Sequence, residues 1–491
     1  MSGVKVLLIS TYELGRQPFG LASPAAWLRA EGGEVFCLDL SQQDLNEEHV
    51  RAADLIAFYL PMHTATRIAL SAIRKVRAFN PSAQLCAYGL YAPLNAAHLR
   101  EAGVGAIFGG EFEPGLAAAA RAIAGNGRRL PPQAQPDVSL DRLQFRVPDR
   151  TGLPPLQDYA RLVMPNGALR TVGYTEASRG CKHLCRHCPI VPVYEGKFRI
   201  VQRDIVLEDI RQQIASGAEH ITFGDPDFFN GVTHGLELVR ALHREFPRVT
   251  YDVTIKVEHL LKHAEHLPVL RDTGCGFVTT AVESLDDHAL ALLDKGHTRA
   301  DFVRLVSLFR DIGLALAPTF VAFTPWITLE GYSDLLVTIA DLGLVENVSP
   351  VQLAIRLLIP AGSRLLELPE VRGMVGPFDA VALSYRWDHP DPRVDALQRE
   401  IERRVQALTA AGHGRRSIFE SVRHMVGGQP LTHQTLRQTS RGIAAHVNRP
   451  DRSGANRGRD SPSDRRHRSP RWRGARIHLA PDSAPSRRRR Q

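Results

Sequence analysis

Three cysteines stand close together near the middle of the chain, in the order Cys181, Cys185 and Cys188. Three thiolates at this spacing can ligate three corners of one iron–sulfur cluster, and the absence of a fourth leaves one iron open to an outside ligand. Gly180, just before them, gives the backbone the freedom to wrap around such a cluster. Two basic side chains between the cysteines favour thiolate over thiol. The pattern therefore predicts a metal cluster with one position open for chemistry.

Two other interpretations of these cysteines stay open. A zinc site would take His183 or His187 as its fourth ligand, although the short zinc modules that use such runs do not stand on a series of β–α units. Alternatively, the three thiols are unrelated. Six cysteines are too few for a disulfide framework in 491 residues. Cys37, Cys86 and Cys275 lie in apolar, strand-like segments and are predicted to be core residues in a reducing cytoplasm.

The elements that must position the cysteines begin with a first series of strands and helices in residues 1–125. Five apolar runs that predict strands alternate there with helical patterns, at residues 4–10, 34–40, 54–60, 84–88 and 106–109. Such alternation predicts an α/β domain with a doubly wound, Rossmann-like parallel sheet. In sheets of this kind, ligands bind beyond the carboxyl ends of the strands.

A second series of β–α units follows a predicted linker at residues 126–160, which is rich in Pro, Gly, Arg and Gln and has no period. Residues 161–375 contain six predicted strands, at 171–175, 220–223, 250–256, 276–282, 314–322 and 351–359. Six units predict a partial (β/α)6 barrel, with chemistry at the carboxyl ends of its strands. The cysteine loop follows the first of these strands. Ser284 is predicted to cap the helix after the fourth strand, and Gly296 to end it.

Charge separates the end of the chain from the rest. The whole chain carries a net charge of +9, but residues 427–491 contain 16 Arg, no Lys, four Asp and no Glu, which gives +12 there and −3 elsewhere. This Arg-rich tail has no periodicity and is predicted to be disordered, whereas residues 376–426 are predicted to be helical. No apolar run approaches the ~20 residues of a membrane helix, which predicts a cytoplasmic protein without a membrane partner.

Residues 160–375 resemble the radical S-adenosylmethionine (SAM) superfamily. The resemblance rests on the C-x3-C-x2-C spacing after the first strand, on Gly-Asp at 224–225 and on Ala-Val-Glu-Ser at 281–284. In that family, three cysteines hold a 4Fe–4S cluster, and the amine and carboxylate of SAM chelate the open iron. One-electron reduction then cleaves SAM to methionine and a 5′-deoxyadenosyl radical. The resemblance implies the same role for the three cysteines here, and a flavodoxin- or ferredoxin-type electron donor.

The resemblance also implies SAM-binding roles for five other side chains. Asp225 is expected to accept from the SAM amine, Lys256 to reach the carboxylate, and Glu283 to bind the ribose hydroxyls, a role that Ser284 either shares or leaves for helix capping. His187 stands where the superfamily commonly has an aromatic residue, so it is expected to pack on adenine or to carry a proton. These pairings match charge with opposite charge. Asp225 or Asp227 as a cap of the next helix, and Lys256 as a solvated strand end, remain the alternatives, and no catalytic residue is assigned.

Residues 1–125 resemble the domain that precedes the barrel in cobalamin-associated radical SAM enzymes. The resemblance rests on residues 85–95 and on Gly-Gly-Glu-Phe-Glu at 109–113, and it implies a cobalamin-binding-like domain whose loops face the barrel. No Asp-x-His-x-x-Gly occurs there, so no histidine is marked as a lower cobalt ligand. The alternative is a domain that binds nothing or helps to bind substrate. The cysteine loop further resembles a radical SAM group whose members end in Cys-Cys-Ala-Glu-Pro or its selenocysteine form, but no Cys follows Cys275.

Three functions compete on this basis. The leading one is a radical SAM enzyme acting on a small molecule, with cobalamin-dependent methylation or rearrangement as the specific hypothesis. An RNA-modifying radical SAM enzyme is the alternative, but methylthiotransferases carry three cysteines before the barrel, where this chain has only Cys37 and Cys86. The third is a nucleic-acid-binding protein that uses its tail. That tail has one aromatic residue, Trp472, and no stacking platform, so it is predicted to be an extension without function.

Overall fold

The computed structural model describes residues 3–125, 129–164 and 166–427. The prediction for the Arg-rich tail lies outside these residues, apart from position 427. Among the helices in the described ranges, none combines the length and the apolar character that a membrane crossing requires.

The first part of the chain folds around a six-stranded parallel sheet with strand order 2-1-3-4-5-6. Its strands are β1 (Lys5–Ser10), β2 (Glu34–Asp39), β3 (Leu55–Tyr59), β4 (Gln84–Tyr88), β5 (Ala106–Gly110) and β6 (Asp137–Ser139). Its helices are α1 (Phe19–Ala30), α2 (Glu47–Ala52), α3 (His63–Phe79), α4 (Tyr91–Leu94), α5 (Ala96–Glu101) and α6 (Glu113–Gly125). All residues of β3 are buried because helices cover both faces of the sheet. The doubly wound domain is confirmed.

The predicted linker contains an element that composition concealed. β6 extends the sheet by pairing in parallel with β5. A strand of three residues with two exposed side chains carries too little apolar pattern to be recognised in a sequence. The segment that follows is fixed between the two halves of the chain. Ala160 donates its backbone N–H to Gly15, Arg150 donates to Gln17, and Tyr159 donates to Asp39.

The second sheet curls into a partial barrel. The strands of this half and of the C-terminal region are β7 (Arg161–Val163), β8 (Leu169–Thr175), β9 (Ser178–Gly180), β10 (Phe198–Ile200), β11 (His220–Phe223), β12 (Thr250–Thr254), β13 (Cys275–Glu283), β14 (Leu316–Phe320), β15 (Val375–Asp379) and β16 (Ser384–Trp387). The sheet order is 14-13-12-11-8-7, in which β7 is antiparallel to β8 and the other pairs are parallel. The fold class, an α/β protein with a Rossmann-like domain and a partial barrel, is therefore confirmed.

The predicted sixth barrel strand differs from the structure. Within residues 351–359 the chain forms the end of a 3-10 helix, Pro350–Leu353, and then two isolated bridges, a parallel one between Arg356 and Phe323 and an antiparallel one between Ile359 and Tyr385. Pro350 lacks the N–H that a strand ladder needs, and the turn that it begins occupies the first residues of the run. The apolar run is buried, but it packs as an irregular edge and not as a regular strand.

The helices of the second half separate the strands and close the chain. They are α7 (Val191–Tyr194), α8 (Arg203–Ala215), α9 (Val232–Glu245), α10 (Val257–Lys262), α11 (Leu267–Asp272), α12 (Asp287–Leu292), α13 (Arg299–Ile312), α14 (Leu329–Asp341), α15 (Pro369–Met374), α16 (Pro392–Ala410) and α17 (Arg415–Met425). α16 and α17 lie in the region predicted to be helical. The antiparallel hairpin β15–β16 that precedes them was not predicted.

Candidate active site

The cysteine loop leaves a short strand in a conformation that only glycine adopts easily. Gly180 ends β9 at φ +72°. A Cβ on this residue would lie 2.3 Å from the Tyr194 ring and 2.5 Å from the carbonyl oxygen of Lys197. Both the positive φ and the close approach therefore exclude a side chain here. The chain turns at this point and places Cys181 at the carboxyl ends of the barrel strands.

The three thiols interact with one another. Burial raises the pKa of Cys188 to about 12, and the neighbouring Cys185 and Cys181 raise it further while Lys295 opposes them. Burial and Cys185 also raise the pKa of Cys181. Thiolates that act on one another in this way repel each other unless a cation lies among them, and ligands of a metal must be deprotonated. Three cysteine sulfurs on one loop, with electrostatic interactions among them, are thus a donor set that suits an iron–sulfur cluster.

Glu283, at the end of β13, lies between two cationic or ionisable partners. Its Oε1 is 3.1 Å from Nε2 of His187 and 3.4 Å from Nζ of Lys295. Burial alone would raise the pKa of this carboxyl, but Lys295 and His187 outweigh it and lower the pKa to about 2. The residue also has φ +69°, which is strained for a side chain with a Cβ. The structure therefore places two of the predicted SAM-binding residues, His187 and Glu283, in contact with each other. The low pKa of Glu283 keeps its carboxylate charged.

Asp225 is buried beneath the cysteine loop. One carboxylate oxygen accepts from the Ser178 hydroxyl at 2.5 Å, and the other accepts from the Ala177 backbone at 2.9 Å. Burial raises the pKa of Asp225 to about 7, against the lowering effect of these hydrogen bonds. The carboxylate is thus held in one orientation by the segment that leads into the cysteines.

Lys256 and Ser284 are both engaged by neighbours on their own loops. Lys256 Nζ forms an ion pair with Glu258 at 2.9 Å and lies 3.2 Å from Nδ1 of His183. The prediction that Ser284 caps α12 is wrong by two residues, because the Asp286 side chain accepts from the first turn of the helix. Ser284 Oγ instead accepts from the Asp286 backbone at 3.1 Å. A cavity of about 220 Å³ borders Glu283 and Ser284 at the carboxyl ends of β13 and β14.

Comparisons with known proteins agree with this geometry. A family model described as the radical SAM superfamily matches residues 175–336. Those residues are a radical SAM domain. The match begins at the end of β8 and contains the three cysteines, Asp225, Lys256, Glu283 and Ser284. This domain implies a 4Fe–4S cluster and SAM as cofactors.

Solved structures resemble a larger part of the chain. A radical SAM methyltransferase, TsrM from Kitasatospora setae with tryptophan and a SAM analogue bound, superposes with a TM-score of 0.60 at 18% identity, over 75% of this chain and 76% of that chain. The cobalamin-dependent radical SAM enzyme OxsB with aqua-cobalamin bound gives 0.61 at 13% identity, over 83% and 67%. At these identities the likeness concerns the fold, and it includes the domain before the barrel.

Curated relatives match a shorter segment. A tRNA-2-methylthio-N(6)-dimethylallyladenosine synthase of Chlorobium phaeobacteroides (strain BS1) is 26% identical over 180 residues, and the enzyme of the same name from Geobacter sulfurreducens is 23% identical over 189 residues. The chain spans only 38% and 40% of the length of these two proteins, and the matches cover 35% and 36% of the chain.

The domain before the radical SAM domain reaches the cysteine loop through α4. Tyr91, at the start of this helix, is buried, and burial followed by the nearby Cys188 raises its pKa. The carboxyl edge of the first sheet therefore faces the carboxyl edge of the barrel at the thiols.

A buried arginine joins the same two edges. Arg179 of β9 contacts Glu113 at 2.7 Å, Glu176 at 2.7 Å and Glu111 at 3.3 Å. Burial would lower the pKa of Arg179, but the three carboxylates outweigh this and raise it. The Gly-Gly-Glu-Phe-Glu run could be recognised in the sequence, but its cationic partner could not, because Arg179 lies 66 residues after Glu113 along the chain.

Other residues of the site were also missed. Lys295 lies 12 positions after Glu283, on the far side of α12, and only the return of the chain brings it back. His259 and Asp227 lie on successive strand-to-helix connections and meet at 2.7 Å. The sequence did indicate Asp227 as a possible helix cap, and this residue caps the 3-10 helix Phe228–Gly231. Nothing in the spacing pointed to His259.

Proposed function

We propose that this chain reductively cleaves SAM at a 4Fe–4S cluster held by Cys181, Cys185 and Cys188, and that it uses the product radical on a small molecule. The bound cluster would supply the electron that breaks SAM into methionine and a 5′-deoxyadenosyl radical. The observation that carries the proposal is the convergence of three interacting thiols on one loop, at the strand ends where the radical SAM domain keeps its chemistry. A flavodoxin- or ferredoxin-type protein is the proposed electron donor.

The chain's own residues would bind and orient SAM. Asp225, held by Ser178, offers a carboxylate to the amine, and Lys256 offers an ammonium to the carboxylate once it exchanges Glu258 for the ligand. Glu283 offers an anion to the ribose hydroxyls. His187, held against Glu283, borders the same region and can pack on adenine. The pairings of Asp225, Lys256 and Glu283 are charge-assisted or bidentate hydrogen bonds of the strong kind.

Glu283→Gln is expected to raise the KM for SAM by about 10- to 100-fold, because a hydrogen bond to a charged group contributes ~1.5–3 kcal/mol. SAM-dependent 5′-deoxyadenosine formation at varied SAM concentration measures this. The change also leaves Lys295 buried without its counter-charge, so a melting curve must accompany it. Glu265→Gln is the matched control, since the Glu265 side chain is 65% exposed and pairs only weakly with His266. An unchanged KM in a folded Glu283 variant would contradict the assignment.

We further propose that the N-terminal domain binds cobalamin and that the enzyme methylates or rearranges its substrate. At the carboxyl edge of the first sheet, Ser10 Oγ, Glu13 Oε2 and Asn95 Oδ1 are buried without a hydrogen-bond partner among the described residues. Burial raises the pKa of Glu13 well above its ordinary range, which favours the protonated form that can donate. Donors and acceptors of this kind suit the peripheral amides of a corrin ring. The fold likeness to OxsB and TsrM supports the same assignment.

Anaerobic purification with cobalamin supplied tests this proposal. About one cobalt per chain is expected, read together with about four irons. A chain with all three cluster cysteines replaced by alanine should lose the iron and keep the cobalt, since the two sites lie on different domains. A wild-type chain that binds iron and no cobalt would refute the cobalamin assignment and leave the SAM chemistry standing.

The curated relatives raise RNA modification as a second candidate, and the cysteines argue against it. Methylthiotransferases, the RNA-modifying class in question, have three further cysteines before the barrel. Here Cys37 lies buried in β2 and Cys86 lies buried in β4, and burial raises the thiol pKa of both. Two core thiols on separate strands do not provide a second cluster site.

A further inference from the structure

Three ligand-bearing side chains meet beside the cysteine loop, apart from the residues assigned to the cluster and to SAM. His183 comes from the cysteine loop, Asp227 from the connection after β11, and His259 from α10 after β12. Asp227 Oδ2 lies 2.7 Å from Nδ1 of His259 and 3.3 Å from Nε2 of His183. The three ligand atoms lie within 4.8 Å of one another. Successive strand ends thus place two imidazoles around one carboxylate oxygen.

No hydrogen bond occupies these three ligand atoms in the described part of the chain. His183 Nε2, Asp227 Oδ2 and His259 Nδ1 are all buried and make no hydrogen bond of acceptable geometry there. Asp227 is 1% exposed and His259 is 3% exposed. The other oxygen of Asp227 accepts from the Phe229 backbone at 3.0 Å and fixes the carboxylate. Three converging buried atoms left without hydrogen bonds cost folding free energy unless something else binds them.

An ion pair accounts for this arrangement less well than a metal ion does. One imidazolium would satisfy one carboxylate oxygen, but two ring nitrogens approach the same oxygen and neither donates to it with good geometry. A divalent transition metal takes two imidazole nitrogens and one carboxylate oxygen as ordinary ligands. Three protein ligands also leave a coordination position open. The His183 side chain is 14% exposed, so that position has a way to solvent.

Two charged groups lie behind the His183 ring. Its Nδ1 is 3.2 Å from Lys256 Nζ and 3.8 Å from Glu258 Oε2, so the ammonium is the hydrogen-bond partner and the carboxylate is too far to be one. Ligation of a metal through Nε2 places the ring proton on Nδ1 and therefore requires Lys256 to turn away from this nitrogen.

We propose that His183, Asp227 and His259 bind one divalent transition-metal ion of the zinc class, with an open position for water or for an oxygen atom of the substrate. This site is separate from a zinc site on the thiolates, because its ligands include none of the three cysteines. It adjoins them, since the charge of Asp227 acts on Cys181. The enzyme would therefore hold a redox-inert ion beside the iron–sulfur cluster, and the proposal does not depend on the cobalamin assignment.

Zinc and iron counted in the same sample test the proposal. The full chain is reconstituted anaerobically with iron and sulfide, equilibrated with Zn²⁺, desalted and measured by mass spectrometry. About one zinc per chain is expected in addition to about four irons. Asp227→Asn and His259→Gln are each expected to lose the zinc and keep the iron. A chain with Cys181, Cys185 and Cys188 replaced by alanine is expected to lose the iron and keep the zinc.

Two matched controls come from the neighbouring group His263, Glu265 and His266, whose ligand atoms also lie close together. Glu265→Gln and His266→Gln make the same chemical changes at more exposed positions and should keep the zinc. The proposal is overturned by a wild-type chain without zinc, by zinc that leaves with the cysteines, or by zinc lost from these controls. Added Zn²⁺ should also raise the melting temperature of the wild-type chain, which tests the site even where a variant does not fold. An unchanged wild-type melting temperature at saturating Zn²⁺ counts against it.

Discussion

Cys185→Ala is expected to lower the iron content of the anaerobically reconstituted chain from about four per chain to less than one. Cys185 is 7% exposed and lies between the other two thiols, whose pKa values it raises. Two thiolates cannot hold a cluster that needs three. SAM cleavage should fall below detection in the same variant, because the electron would have no route to the ligand.

The matched control is Cys37→Ala, a change of the same kind in a thiol of β2 that is 9% exposed. It should keep the full iron content, since Cys37 lies in the core of the N-terminal domain, far along the chain from the cysteine loop. Equal iron loss in the two variants would show that the loss reflects damage to the fold. Full iron content in folded Cys185→Ala would remove this residue from the ligand set.

Arg179→Met is expected to lower the free energy of unfolding by about 3–5 kcal/mol, as breaking one partner out of a buried ion pair does. The Arg179 side chain is 6% exposed and holds Glu113, Glu111 and Glu176 together. Phe112 and Phe145 also pack against the guanidinium, with centroids 5.1 Å and 5.0 Å away. Methionine keeps the stem and removes the charge, so three buried carboxylates lose their common counter-ion. Urea unfolding of the full chain measures the effect.

The loss in free energy of unfolding caused by Arg179→Met should grow as the pH rises. Burial raises the pKa of Glu111 to about 7 even with Arg179 in place. A carboxyl whose pKa is raised by folding stabilises the fold below its ordinary pKa of about 4.5, and this contribution is lost as pH rises through 7. Removing the arginine takes away the charge that lowers the pKa of Glu111 and of Glu176, so both values rise further. We therefore expect Arg179→Met to be closer to the wild type at pH 5.5 than at pH 8.

Arg211→Met is the control for this variant. Arg211 pairs with Glu245 and Glu208 through a side chain that is 41% exposed. Exposed ion pairs contribute ~0–1 kcal/mol, so the change should be small at both pH values. Comparable losses in the two variants, or a deficit in Arg179→Met that does not vary with pH, would contradict the buried role given to Arg179.

Local patterns account for what could be predicted of the fold. The runs that became β1, β4 and β11 are short and almost completely buried, as strands covered on both faces are, and their predicted bounds agree with the structure within one residue. The cysteine loop could also be recognised from a local pattern, the short spacing of its three cysteines. The 3-10 turn at Pro350–Leu353 and the strand β6 were not predicted. The proline that begins the turn stands just before the apolar run, and a three-residue strand carries too little pattern to be recognised.

The sequence named some residues of the candidate site but none of the contacts among them. Glu283 and His187 were both expected to bind SAM, but their 3.1 Å contact joins positions 96 residues apart. Lys256 was expected to reach the SAM carboxylate, and its contact with Glu258 two residues later was not foreseen. Arg179 was not recognised because a single arginine beside a cysteine motif has no pattern of its own. Its three carboxylates become neighbours only after both domains have folded.

The central claim is that this chain cleaves SAM with an electron delivered through the cysteine loop. The most direct measurement is 5′-deoxyadenosine formed from SAM by the anaerobically reconstituted chain, with and without a one-electron reductant. The account predicts product only when reductant is present, and none from the variant with Cys181, Cys185 and Cys188 replaced by alanine. An iron-loaded wild-type chain that forms no 5′-deoxyadenosine, or equal product from the alanine variant, would contradict it.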